Sequence, residues 1–381
     1  MANTGMLTGN ALTVKLWALQ GFIDMYKKTV FGRLVRRGTI MRAEELDRAQ
    51  AGDSVTFAFT GILSGIGLGE GGTLSGNEES LNNQSFSMVW NVFRHAVASP
   101  NDDTIEQQRT RIRFEQTART QLEQFHCSRL DASCLNQLAG TLASSITVDG
   151  TTYSTTANLP FVSGLNTMNA ATTNRIIWQG GYSADESITS ADTITLDLVD
   201  AAVEKLASTY PNVKPLDNEE FDLYISYEQW TDLKRDASGK IQWYTNQLAA
   251  MTGGEIDNNA IRSASHFSYE PVGKYGRVNI ILAARVANGY NSSTLASIST
   301  VKRAILCGSN ALAFASKFSG ALEDVAETGG SVPLVYKTQL KDYDYIKGVE
   351  ARMLYGVKKV QFNNEDFGSI VLSTYAASHT S

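Results

Sequence analysis

The chain has 381 residues, of which 43% are hydrophobic and 19% charged, so it can bury a sizeable core and does not have the composition of a disordered segment. Lys plus Arg number 33 against 39 Asp plus Glu, a net charge of −6, which argues against a dedicated nucleic-acid binder with a basic footprint. Three cysteines (Cys127, Cys134, Cys307) are too few for a disulfide scaffold, and no apolar run approaches the ~18 residues of a membrane-spanning helix.

The first ten residues are polar and small, without the basic-then-apolar pattern of a signal peptide. Leu12, Leu16, Leu19, Ile23, Tyr26 and Val30 recur at helical spacing, which predicts a helix over 11–30. A basic stretch overlaps and follows it: Lys27, Lys28, Arg33, Arg36, Arg37 and Arg42. The first 50 residues hold eight basic and four acidic side chains. Such a run reads either as a solvated helix face or as an arm that docks on an acidic patch of another subunit.

Residues 53–92 read as one long hairpin. Val55, Phe57 and Phe59 alternate with small polar residues, and Phe86, Met88, Trp90 and Val92 do so on the return. The tip is rich in glycine. A ribbon with this apolar face needs a packing partner, in its own chain or a neighbouring one. From Thr104 to Leu138 neither Pro nor Gly intervenes, which predicts a helix about 50 Å long. Between Asp131 and Arg175 the only charge is Asp149, and this Thr/Ser/Asn-rich stretch reads as an inserted loop or small β element.

A second helix, carrying Val199, Ala202, Val203 and Leu206 on one face, follows a Thr193 or Thr195 cap and ends before Pro211. Beyond it the pattern predicts a strand over 221–226, a helix over 227–235 and strands over 278–284 and 301–306. A short Ala-rich helix is expected over 308–317, then strands over 349–355, 357–362 and 368–375, with Asn363–Asp366 as a polar turn.

Catalytic motifs are lacking. Gly67, Gly69 and Gly72 match a dinucleotide fingerprint by spacing, but that chemistry needs a helix opening at the last glycine, and here a polar stretch and a strand follow. His95, His126, His266 and His379 are scattered. His126 beside Cys127 would face about 100° apart on a helix, and Asp342 with Asp344 reads as a turn as readily as a metal pair. No nucleophile, base and orienting group stand together, so neither enzyme activity nor a catalytic, cofactor or metal site is expected.

A basic arm, a long hairpin, an extended helix, a mixed α/β module and returning C-terminal strands, in that order, resemble a tailed-bacteriophage major capsid protein with the Hong Kong 97 fold. Within that group the chain resembles the branch found in podophages related to coliphage N-four. The resembling residues are 341–348 (KDYDYIKG), 355–359 (YGVKK), 362–368 (FNNEDFG) and 370–375 (IVLSTY), with 304–308 (AILCG), Ala311 and the segment 221–233.

The resemblance implies an α+β subunit with an N-terminal arm (1–45), an extended loop (46–100), a peripheral domain (101–215 and 321–381, with 141–193 as a possible insertion) and an axial domain (216–320). It implies self-assembly through hexamers and pentamers into an icosahedral shell around double-stranded DNA, which the acidic chain would meet only by non-specific proximity. Portal and scaffolding proteins, and a decoration protein, are the implied partners; no membrane or cofactor is. Location in the virion follows, after synthesis in the host bacterial cytoplasm. Because the hairpin begins by Asp53, little chain is left for the cleaved N-terminal scaffold of many relatives. Candidate intersubunit contacts are Val55, Phe57, Phe59, Phe86, Met88 and Trp90 on the ribbon and Arg33, Arg36, Arg37 and Arg42 on the arm. The alternatives are an encapsulin-like nanocompartment shell, which shares the fold, and a cytosolic α/β enzyme built on 216–320.

Overall fold

The computed structural model describes residues 29–43, 54–60, 67–73, 75, 78, 83–100, 114–209, 213–216, 219–235, 271–316, 334–343 and 345–379. Helix α1, Val30–Arg36, opens at Thr29, whose Oγ1 accepts from the Gly32 amide. The Phe31 amide donates to Asp131 of a distant helix. Nearly all of the helix expected over 11–30 lies outside the described residues. Strand β1, Ile40–Ala43, follows.

Strands β2 (Ser54–Thr60) and β3 (Asn83–Val89) form the expected antiparallel hairpin, with Val55 opposite Met88 and Phe57 opposite Phe86. The return strand is shorter than expected. It breaks at Trp90, and β4 (Asn91–Pro100) leaves the hairpin to pair over ten residues with a 14-residue strand, β15 (Ile346–Lys359). Val92 therefore sits opposite Leu354 and is no part of the ribbon.

Helix α2, Phe114–Ala139, runs 26 residues, about 39 Å; the expected start at Thr104 lies outside the described residues. It ends at Gly140, whose φ is +57° and where a Cβ would meet the Asn169 carbonyl oxygen at 2.6 Å. After it, β5 (Ile146–Val148) and β6 (Thr151–Tyr153) make a small hairpin. Its two-residue turn, Asp149-Gly150, has positive φ at both positions, the twist that suits tight hairpins. Strand β7 is Ile176–Trp178. Helix α3, Leu196–Ser208, is capped by Thr195 as expected, its Oγ1 accepting from the Leu198 amide.

The rest is mostly strand: β8 (Phe221–Ile225), helix α4 (Tyr227–Arg235), β9 (Gly273–Tyr275), β10 (Val278–Leu282), β11 (Asn288–Tyr290), β12 (Ser297–Cys307), β13 (Leu312–Ser316), β14 (Leu334–Lys341), then β15, β16 (Gln361–Phe362), β17 (Glu365–Asp366) and β18 (Ser369–Tyr375). One sheet runs β7-β18-β12-β8-β10-β9, with β11 on β12; the other runs β1-β13-β15-β14, with β4 on β15. Strand β7 pairs in parallel with β18, so part of the 141–193 segment supplies an edge strand of this sheet. Sheet membership also crosses the expected boundary at 320. Strand β13 belongs with β15, and β18 belongs with β8, β10 and β12.

Two expectations are corrected. Residues 312–316 are a strand and not an Ala-rich helix, because β1 and β15 take up their backbone groups on both sides. The side chains then alternate: Leu312 and Phe314 enter the core beneath α2, and Ala313 and Ala315 face the opposite cluster. Second, the break expected near 356 does not occur; β15 runs through Gly356 unbroken.

The main core lies between α2 and the two sheets. Leu122, Leu130, Leu135 and Leu138 of α2 pack with Phe93, Val349, Ala351, Met353 and Tyr355 of one sheet and with Tyr224, Ile281 and Ile305 of the other. A second cluster puts α3 (Val199, Ala202, Leu206) on the other face of the central sheet. On β15 the odd-numbered residues Val349, Ala351, Met353 and Tyr355 are buried in the main core, and the even-numbered Glu350, Arg352 and Leu354 are only half-buried. At Gly356 the even-numbered face is covered by the hairpin base, where an added Cβ would lie 2.2 Å from the Val89 carbonyl oxygen. At Gly348 the nearest atom would be 3.6 Å away. Gly356→Ala is therefore expected to destabilise the free subunit by about 1–3 kcal/mol through overpacking. Gly348→Ala should stay within about 0.5 kcal/mol. Urea melts of the two variants side by side check this, and equal shifts would contradict the packing described.

Candidate assembly site

The predicted contact residues divide into those the chain consumes internally and those it leaves outside. Arg33 is consumed. Its Nε and Nη2 donate to Asp222 Oδ2 and Oδ1 at 2.9 and 3.1 Å, a bidentate pair with both side chains buried. Burial works against the Arg33 charge, but Asp222 outweighs it, and the guanidinium pKa is raised. Arg37 Nη2 donates to Glu220 Oε2 at 2.8 Å. Glu220 also accepts from Lys274 at 2.5 Å and from Asn279 at 2.8 Å. The acidic patch that the basic arm was expected to find on another subunit is thus, for Arg33 and Arg37, in its own chain at the start of β8. Arg36 is exposed. The Arg42 side chain lies outside the described residues, though its backbone pairs with Phe314.

The ribbon is corrected in the same way. Phe86 and Met88 are 7% and 1% exposed, and they pack with Val55 and Phe57 on Ala313, Ala315 and Val360 of their own chain. Their partner was not visible in sequence because it is a pair of alanines on a strand that reads as helix. Lys358 Nζ sits 4.9 Å over the Phe86 ring and donates to the Ser87 carbonyl oxygen. Trp90 is half-buried at the break between β3 and β4. The Phe59 side chain lies outside the described residues. Of the glycine-rich tip, residues 67–73 are exposed.

Sequence reasoning missed the side chains that hold the base. Asn166 takes the Val89 amide on Oδ1 and donates through Nδ2 to the Val89 and Val357 carbonyl oxygens. It clips the hairpin to β15 at one point. Asp185 and Arg303 form a buried pair at 2.8 Å. Arg303 Nη1 also donates to the Ala139 and Gly140 carbonyl oxygens at the end of α2, where a cation offsets the helix dipole. Asp185 accepts from Trp178, Ser373 and the Tyr290 amide. Lys359 and Asp366 form a second buried pair at 2.8 Å. The only sequence signal for these pairs was on the basic side, Arg303 and Lys359 standing in largely apolar strands, whereas Asp185 and Asp366 lie in polar stretches.

His126 is buried, its Nε2 3.1 Å from the Ala351 carbonyl oxygen. Burial lowers its pKa to about 4, so the ring is neutral at pH 7. Asp342 lies in the β14–β15 turn, and Asp344 lies outside the described residues. Among the described residues no group of three or more His, Cys, Asp or Glu could hold a metal ion, and no helix is long and apolar enough to cross a membrane.

What the arrangement supplies is a two-sheet body with a hairpin packed on it at the base and exposed residues 67–73 at the tip. A family model described as phage capsid protein matches residues 5–378. The chain belongs to the phage capsid protein family. Among solved structures it is similar to the capsid of Ralstonia phage GP4, at 21% identity over 93% of each chain with a TM-score of 0.73. It is also similar to the cyanophage Pam1 capsid, at 20% identity over 89% of each chain with a TM-score of 0.61. The capsid of Helicobacter pylori bacteriophage KHP30 matches at 14% identity over 91% of this chain and 92% of that one, with a TM-score of 0.60. No curated protein matches the sequence. The fold is of the Hong Kong 97 type, and the phage capsid protein described here is a major capsid protein, a shell subunit.

Two outcomes follow from the acidic node at β8. Removing Arg33 leaves Asp222 buried without its main counter-charge, so Arg33→Ala should cost about 3–5 kcal/mol in the free subunit. Exposed Arg36→Ala should change stability by no more than about 0.5 kcal/mol. Equal losses in urea melts would place Arg33 outside the core. Burial would raise the Glu220 pKa, yet the Lys274 and Asn279 hydrogen bonds, the Lys274 charge and Arg37 bring it down to about 2. The folded value lies below the ordinary 4.5, so this stabilisation is full above about pH 4.5 and is lost as pH falls towards 2. Melting temperature measured across that window should fall less steeply in Glu220→Gln than in wild type.

Proposed function

We propose that the chain assembles with copies of itself, through hexamers and pentamers, into the closed icosahedral head of a tailed double-stranded DNA phage. The observation that carries this reading is the family match over 5–378, joined to a hairpin whose base is fixed and whose tip is exposed. A shell subunit needs a stiff body and a projecting element that can meet slightly different neighbours, and the glycines at 67, 69, 71 and 72 give the tip that conformational range. The family match favours a phage shell over a nanocompartment or an α/β enzyme, and the reading is of a structural, non-catalytic protein.

The net charge of −6 suits a container that must not grip packaged phosphate, and contact with the genome is non-specific proximity. A portal and a separate scaffolding protein are the expected partners in assembly, and a decoration protein on the outer shell is a further candidate. The C-terminal segments 341–348 and 362–375 support placement near the podophages related to coliphage N-four. Exposed Arg36, with Arg42 and the ribbon residues nearer the tip, Phe59 among them, are the remaining candidates for intersubunit contact.

Sedimentation velocity on the native protein tests the reading. A particle of megadalton mass is expected; a stable monomer or dimer as the sole species would contradict it.

A further inference from the structure

We propose that Asn288 is a self-modification site, where the side-chain amide is lost to the following backbone nitrogen and then to water, leaving an aspartate that pairs with Lys302. The step needs only the folded subunit and goes beyond the shell reading above.

Asn288-Gly289 is the only Asn-Gly pair in the sequence. Glycine has no side chain to shield its own nitrogen, so at this pair the next backbone nitrogen reaches the asparagine side chain with least hindrance. Packing requires the glycine. A Cβ at 289 would meet Val301 Cγ1 at 2.8 Å and Asp185 Oδ2 at 2.9 Å. The pair also straddles a break in strand register. Asn288 stands opposite Lys302 and Gly289 opposite Ile298, so a single step along β11 answers to the stretch from 302 to 298 on β12. The bond between the two residues therefore lies outside the regular ladder.

Lys302 supplies the charge. Its Nζ donates to Asn288 Oδ1 at 2.6 Å, and Asn288 Nδ2 donates to Ser297 Oγ at 3.3 Å. Burial lowers the Lys302 pKa, and Glu228 offsets this only in part, from a distance. Among the described residues no carboxylate forms an ion pair with Lys302. Its charge thus stands where the Asn288 side-chain oxygen turns negative when Cγ is attacked. An aspartate at 288 would give that charge the partner it lacks. Asn288 and Lys302 line one cavity of about 300 Å³ together with Thr141, Ser145 and Ser297, which is ample room for water to reach Cγ.

The atoms balance without an oxidant or reductant. The Gly289 nitrogen gives up its proton to solvent and bonds to Asn288 Cγ. The Cγ–Nδ2 bond breaks, and ammonia leaves with a solvent proton. Water then opens the five-membered imide. Addition at Cγ breaks the new N–Cγ bond, returns a proton to the nitrogen and gives aspartate. Addition at the backbone carbonyl carbon gives isoaspartate, with the chain rerouted through the side chain. Either way one water is consumed and one ammonia is released. In an unconstrained peptide the isoaspartate opening dominates. Here Lys302 sits on the Cγ oxygen, whereas the Asn288 backbone carbonyl oxygen accepts only from the Thr141 hydroxyl, at 3.4 Å. The cation directs water to Cγ, and the product is aspartate. It ties β11 by an ion pair to β12, the strand that pairs with both β8 and β18.

The test is peptide mapping of the full chain by mass spectrometry after prolonged incubation at mildly alkaline pH, with fragmentation that separates aspartate from isoaspartate. The peptide holding residue 288 should gain the mass difference between an amide and an acid, and aspartate should be the main isomer. Lys302→Met should slow the conversion by about tenfold or more and leave isoaspartate as the main isomer. Lys302→Arg, which keeps the cation, should restore aspartate. Circular dichroism checks that both variants are folded; should Lys302→Met fail to fold, the wild-type isomer decides, and isoaspartate there overturns the proposal. It is also overturned if wild type stays unconverted over a time in which a synthetic peptide spanning 285–292 converts fully, or if Lys302→Met matches wild type in rate and isomer ratio. Peptides of 288 and 302 found joined would make Lys302 the nucleophile and overturn it as well.

Discussion

Strand β15 has two faces, and the rest of the subunit is arranged by how they are used. A period of two leaves no freedom here: a slip of one residue would exchange the side chains meant for α2 with those meant for the hairpin and solvent. Val349, Ala351, Met353 and Tyr355 seat the long helix. On the reverse side Gly356, with Ala313 and Ala315 on the neighbouring strand, gives the hairpin base a floor without side-chain bulk. Each large side chain buried there is worth about 1.5–3 kcal/mol. Phe86 and Met88 thus add enough to hold a two-stranded ribbon that would be marginal alone.

Charge as well as apolar packing fixes the elements around the two sheets. Arg303 rises from β12, caps the end of α2 and pairs with Asp185, which in turn gathers groups from β7, β11 and β18. Arg33 ties α1 to β8 through Asp222, and Lys359 ties the end of β15 to β17 through Asp366. Such pairs contribute little net stability compared with apolar replacements, but breaking one is costly because the partner stays buried. They therefore act as register pins. A subunit that must hold one shape within a wall and bend only at its extensions is well served by pins in its body and glycines in its loop.

The elements legible in the sequence were those with strong local signals. The 221–225 strand, the 227–235 helix, the Thr195 cap and the hairpin pairing of 55–57 with 86–88 all follow from alternation, helical spacing or a capping residue. The turn at Asn363-Asn364, with positive φ at both positions, is of the same kind. What failed depended on distant partners. Ala313 and Ala315 look helical until β1 and β15 are placed on either side of them. Arg33 looks like a docking residue until Asp222, 189 positions away, is found beneath it. Trp90 ends the hairpin because β4 is drawn off by ten residues of β15, a competition that no local window contains. The candidate contacts were therefore legible as apolar or basic residues, but which of them serve the fold and which face outward was settled by tertiary pairing.

The central claim is that the hairpin is divided, with a base packed into its own subunit and a tip left exposed. An electron cryomicroscopy map of assembled particles, with side chains resolved, tests this most directly. The account predicts an icosahedral wall in which Phe86 and Met88 rest on Ala313 and Ala315 of the same chain, while residues 67–73 at the tip stand clear of that body. A map in which the hairpin base has exchanged onto an adjacent chain, or in which the tip folds back onto its own body, would contradict it.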